Sequence, residues 1–194
     1  ITPSLLTHLG RTDMHALIVG PRGVGKSTLI RKVLQELNRP LFGFETKKET
    51  TLTDPVMGDP IYIYDAGVEH QQSVENLVGY CKNKHASSIT DAFERYAGKL
   101  AQPVPTGAII ELDEIGFLEA KAPQFCKAIL ELLDGDITVI AAVKDKDIPL
   151  LEQVRSHRNA KCFYITQENR DALYEEVLRF MRKQTEEYIW QEKH

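Results

Sequence analysis

The stretch Ala16-Leu17-Ile18-Val19-Gly20-Pro21-Arg22-Gly23-Val24-Gly25-Lys26-Ser27-Thr28-Leu29 decides the fold. Its four leading apolar residues read as a short buried strand. They run straight into a loop that fits G-x-x-x-x-G-K-[ST] at every fixed position: Gly20, Gly25, Lys26 and Ser27. Each fixed residue has a chemical reason. Glycines let the backbone curl until successive N–H groups face one point, which suits phosphate oxygens. The helix that follows adds its positive N-terminal end. Lys26 reaches the β- and γ-phosphates, and the Ser27 hydroxyl is placed for magnesium. The nucleotide-binding set is therefore Gly20, Pro21, Arg22, Gly23, Val24, Gly25, Lys26, Ser27 and the adjoining Thr28. Arg22 has two readings, one leaning over the nucleotide and the other a solvated loop arginine.

Outward from the loop the chain alternates strand and helix patterns. Residues 26–37 carry Leu29, Ile30, Val33, Leu34 and Leu37 at helical spacing. Residues 41–44 and 61–64 read as strands. Residues 47–60, rich in Thr, Asp, Pro and Gly, read as an exposed arm or hairpin between them. Residues 67–83 have no clear pattern. Helices are expected at 88–100, 125–133, 149–154 and 169–183, the last capped by Asn169, and strands at 108–112, 137–143 and 162–165. This rhythm predicts an α/β, three-layer P-loop NTPase domain with a mainly parallel central sheet. One such domain over residues 1–194 is expected, with residues 1–13 as an N-terminal extension.

A second acidic motif lies in Ile109-Ile110-Glu111-Leu112-Asp113-Glu114. An apolar strand here ends in two carboxylates, at the strand end where ligands of open α/β sheets bind. Asp113 suits holding magnesium through a water, so Ser27 and Asp113 are the expected metal residues. Glu114 is placed to orient and deprotonate an attacking water, and with Lys26 it forms the expected catalytic pair. Asp113-Glu114-Ile115-Gly116 also spells the D-x-x-G of small GTPases, but that class needs an N-K-x-D guanine clamp downstream. The chain's Asn83-Lys84-His85-Ala86 lies upstream and has Ala in the Asp position.

These residues, with Gly43-Phe44-Glu45-Thr46, Asp113-Glu114-Ile115-Gly116-Phe117-Leu118-Glu119 and Asn169-Arg170-Asp171, resemble the THEP-type nucleoside-triphosphatases, a P-loop family similar to the RecA-like branch. The chain departs from the family with Lys47-Lys48 after the G-F-x-T pattern, where acidic residues are common, and in its match over residues 67–84. The resemblance implies slow hydrolysis of nucleoside triphosphates (ATP, GTP, CTP, UTP) with loose base selectivity, and a contact from Arg170 to base or phosphates. Lys144 reads equally as a γ-phosphate sensor or as part of the charge run Lys144-Asp145-Lys146-Asp147. Glu119 reads as a supporting carboxylate or as favourable charge near a helix start. Two other functions stay open. A kinase would need an arginine lid, with Arg155 and Arg158 the close pair. A slow switch would present the 47–60 arm to a protein partner.

Composition narrows the field. The 194 residues carry a formal charge of −4, with 42% hydrophobic and 27% charged residues, so neither nucleic acid nor a membrane surface is an expected partner. No apolar run reaches the ~20 residues of a membrane span, and the N-terminus lacks the pattern of a secretory signal. Cys81, Cys126 and Cys162 form no CxxC pair and read as thiols in a reducing cytosol. The six histidines form no ligand pair, so the expected cofactor is Mg2+ alone.

Overall fold

The computed structural model describes residues 13–116 and 119–192. Most of the expected N-terminal extension, and Phe117 and Leu118 of the acidic motif, lie outside the described residues. Eight strands form one sheet in the order β5-β4-β3-β2-β6-β7-β1-β8. They are β1 His15–Gly20, β2 Leu41–Lys48, β3 Asp59–Asp65, β4 Leu77–Lys82, β5 His85–Ser88, β6 Ile109–Ile115, β7 Val139–Lys144 and β8 Ala160–Tyr164. From β2 to β8 the neighbours run parallel. From β2 to β5 they run antiparallel, so a meander extends one side of a parallel sheet.

Helices cover both faces, as a parallel sheet of apolar strands requires. On one face α2 (Thr90–Leu100), α3 (Pro123–Asp134) and α4 (Pro149–Arg155) pack through Phe93, Phe125 and Leu151 onto Leu17, Leu112 and Ala141. On the other, α1 (Lys26–Leu37) and α5 (Arg170–Glu192) bring Ile30, Val33, Val177 and Met181 against Ala16, Ile18 and Ile140. The three-layer α/β architecture with a mostly parallel sheet is the one expected from the alternation of elements.

The stretch without a readable pattern contains β4, and β5 follows it after a two-residue turn. Asn83 and Lys84 both adopt positive φ, 50° and 67°, the conformation of a tight hairpin turn. Asn83-Lys84, which lies upstream of where a guanine clamp would stand, is thus the tip of the β4–β5 hairpin. Ser88 ends β5, so α2 starts at Thr90 rather than at 88. Asn169 stands before α5 but does not cap it with its side chain. Its Oδ1 accepts the Thr166 N–H (2.7 Å) and its Nδ2 donates to the Tyr164 carbonyl, closing the β8–α5 loop instead.

Parallel pairing of β2 with β6 is unusually close at one point. Gly43 has φ +113°, and a Cβ there would lie 2.0 Å from the Glu111 carbonyl oxygen. Only glycine fits both the angle and the gap. Gly43→Ala should therefore destabilise the protein by roughly 3 kcal/mol or more, combining overpacking with left-handed strain. Urea denaturation of the variant against the parent measures this.

Candidate active site

The parallel strands β1, β7 and β6 end side by side, so the loops after them converge. β1 delivers residues 20–27, and Gly25 (φ 110°) stands in the left-handed region immediately before α1, where a β-carbon would be strained. Val24 is buried in the α1–α5 face and anchors the loop, while Pro21, Arg22 and Gly23 are exposed. Lys26 is buried. Its Nζ donates to the carbonyls of Gly20 (2.7 Å) and Pro21 (2.8 Å) and lies 3.2 Å from Glu114 Oε2.

β6 delivers the acidic pair. Ser27 Oγ donates to Asp113 Oδ1 at 2.9 Å, joining the first turn of α1 to the end of β6. Thr46 of β2 donates to the Asp113 carbonyl (3.4 Å) and accepts the Glu114 N–H (3.3 Å), fixing the backbone that carries both carboxylates. The Asp113–Glu114 peptide is cis, and the β6–β7 register shifts there. Glu114 then turns its carboxylate between two ammonium groups, Lys26 on Oε2 and Lys144, at 3.3 Å, on Oε1.

Lys144 is the last residue of β7 and thus belongs to the site geometry, whatever its neighbours in sequence. Arg155 of α4 supports it by donating to the carbonyls of Lys144 (3.1 Å) and Lys146 (2.9 Å). That engagement leaves Arg155 a poor lid arginine. Glu119 folds back so that its Oε2 accepts the Gly116 N–H at 2.9 Å. It is a buried brace for the turn after β6.

Openings among the described residues flank the loop. One, of about 390 Å³, is lined by Arg22, Thr46, Lys48, Lys84, Glu114 and Lys144 among others. Arg22 thus faces this opening, and the β4–β5 hairpin that the sequence hid supplies part of its wall. Another, of about 550 Å³, runs beside Thr28, Lys32, Gln167, Arg170 and Tyr174. Arg170 lies across the loop: a Cβ at Gly25 would be 3.3 Å from its Cδ.

Burial dominates the electrostatics. It pushes Asp113 up to about 6, with the Ser27 hydrogen bond and Lys26 pulling back and the Glu114 and Glu45 charges adding to the rise. It pushes Glu119 up to about 7 and Glu111, helped by the charges of Glu45 and Asp113, up to about 8. Glu45 and Glu111 are site residues that the sequence reading missed. One carboxylate oxygen from each of Glu45, Glu111 and Asp113 lies within 4.8 Å of the others. The available signal was weak: a Glu inside an apolar strand pattern.

The profile of the NTPase family matches residues 15–178. The chain belongs to this family. It is 31% identical to the cancer-related nucleoside-triphosphatase homolog of Mus musculus over 183 residues, covering 84% of this chain and 94% of that protein. It is 29% identical to nucleoside-triphosphatase THEP1 of Thermotoga petrophila, covering 85% and 91%. The crystal structure of THEP1 from Aquifex aeolicus shares the fold with a TM-score of 0.68 at 23% identity, over 86% of this chain and 98% of that one. The solution structure of a human cancer-related nucleoside triphosphatase does so at 0.60 and 23%, over 88% and 96%. The N-R-D of the family resemblance is Asn169-Arg170-Asp171, the segment that lies against the phosphate loop. Among the described residues no helix is long and apolar enough to cross a membrane.

The raised acids fix a pH dependence. Their folded pKa values of about 6, 7 and 8 exceed the ordinary carboxylate values, so the native state binds protons more tightly than the unfolded chain. Their unfavourable contribution is absent below the unfolded values, grows as pH rises and is complete above about 8. Nucleotide- and metal-free protein should thus lose stability from pH 5 to pH 8, and Glu111→Gln should flatten that slope. Urea midpoints across the range measure both.

Proposed function

We propose that this chain is a magnesium-dependent nucleoside-triphosphate phosphohydrolase with loose base selectivity, acting as one P-loop domain in a reducing cytoplasm. The observation that carries the reading is the position of Glu114, held between Lys26 and Lys144 beside the Ser27–Asp113 pair. The relatives' names as nucleoside-triphosphatases support the same reaction class.

In this reading the loop N–H groups and Lys26 bind the β- and γ-phosphates, and Lys144 balances charge on the γ-phosphate. Both ammonium groups exchange Glu114 for phosphate oxygens as the triphosphate enters. The released carboxylate orients a water and takes its proton while the water oxygen bonds to the γ-phosphorus. The bond from that phosphorus to the bridging oxygen breaks, the diphosphate leaves, and the proton passes to the phosphate product or to solvent. Ser27 and Asp113 offer hard oxygen donors 2.9 Å apart, a set that fits magnesium. When bound, the ion supplies charge neutralisation on the phosphates.

The base would occupy the groove beside Thr28 and Arg170. Of its polar side chains Lys32, Gln167, Glu168, Arg170 and Asp171 are exposed and Tyr174 is half-buried, so the groove offers few of the buried, committed hydrogen bonds needed to reject a wrong base strongly.

Glu114→Gln keeps the size of the side chain and removes its basicity. Single-turnover hydrolysis should fall roughly 10²–10⁴-fold while equilibrium binding of the triphosphate survives. A carboxylate that merely ended a strand would leave the rate within about threefold. Phosphate release with ATP, GTP, CTP and UTP should give kcat/KM values within about tenfold of one another; a hundredfold preference would contradict the open groove.

A further inference from the structure

β6 is built to be buried. Ile109, Ile110, Leu112 and Ile115 are at most 1% exposed, yet between them Glu111 is also buried, at 3%. Among the described residues no hydrogen-bond donor meets its carboxylate. On the same face, one strand over, β2 places Glu45, whose backbone pairs with Asp113 just as Gly43 pairs with Glu111. Three carboxylates thus converge on one point, with an oxygen from each inside a 4.8 Å span.

Carboxylates gathered this closely form a donor set that a shared cation can bridge. Lys26 is already engaged by two carbonyls and Glu114. Two of the three acids also have partners that fix their orientation: His70 Nε2 lies 3.0 Å from Glu45 Oε2, and Ser27 donates to Asp113 Oδ1. Glu111 alone has no such partner, and it points into the cluster.

We infer that Glu45, Glu111 and Asp113 form a site for a second divalent cation, which the protein holds before nucleotide arrives. An all-oxygen, carboxylate-rich donor set selects magnesium or manganese over zinc or copper. The site lies under the phosphate loop on the α1 side of the sheet. It shares Asp113 with the nucleotide's magnesium and rests on the phosphohydrolase reading only through that sharing. A carboxylate common to two ions is a familiar feature of two-metal phosphoryl chemistry. Here the inner ion orients Asp113, so that the nucleotide's metal meets a placed ligand.

Manganese titration followed by the electron paramagnetic resonance of free Mn2+ tests this. Nucleotide-free protein should bind about one Mn2+ per chain, and a non-hydrolysable ATP analogue should add about one more. Glu111→Gln should weaken the first ion by about tenfold or more and keep the second. Glu45→Gln, at a partly exposed position, should do the same and serves if Glu111→Gln fails to fold. Mn2+ should raise the melting temperature of the nucleotide-free parent but not of either variant. Lys26→Ala should lose only the analogue-linked ion. No binding by the nucleotide-free parent below millimolar Mn2+ overturns the proposal, as does unchanged affinity in both carboxamide variants. If the first ion binds and the analogue adds none, the cation site stands and the phosphohydrolase reading fails.

Discussion

The placement of β7 between β1 and β6 is the constraint on which the site depends. Its residues 139–143 are fully buried, and it pairs in parallel with both neighbours. Because all three strands point the same way, the phosphate loop, the acidic pair and Lys144 emerge on one edge. The width of one intervening strand sets the separation between loop and acids, and the Ser27–Asp113 hydrogen bond spans it. Moving β7 elsewhere would bring the phosphate loop and the acids together without the lysine that stands between them.

Chemistry and stability pull in opposite directions at this edge. An apolar residue in place of Glu111 would suit the strand, and burial of Glu119 and Asp113 adds further desolvation. The core supports the load, since aromatic packing of Phe44, Phe93, Tyr96 and Phe125 lies directly behind β2 and β6. Sites that bind and move charge are commonly the least favourable parts of their own folds.

What the sequence made legible was local. The phosphate loop and the strand ending in Asp113-Glu114 each carry their own chemistry within a few residues, and α1 announces itself by spacing. What stayed hidden depends on strand adjacency. Glu45 and Glu111 meet only because β2 pairs with β6, and Lys144 becomes more than part of a charge run only because β7 is central. The last two meander strands, β4 and β5, were hidden for another reason. β4 is broken by Gly79, whose hydrogens face the Ser87 carbonyl, and β5 has Ala86 as its one apolar residue. Their hairpin turns on Asn-Lys rather than on the Asn-Gly that usually marks such a turn.

Lys26 has one more consequence. By bonding the Gly20 and Pro21 carbonyls it holds the loop in its curled shape from inside. The entropy of ordering those residues is therefore spent when the chain folds, so it does not subtract from nucleotide affinity. Association then meets a receptor that is already shaped, and the step left to regulate is an exchange of anions: a tethered carboxylate gives way to a diffusing phosphate at the same two lysines.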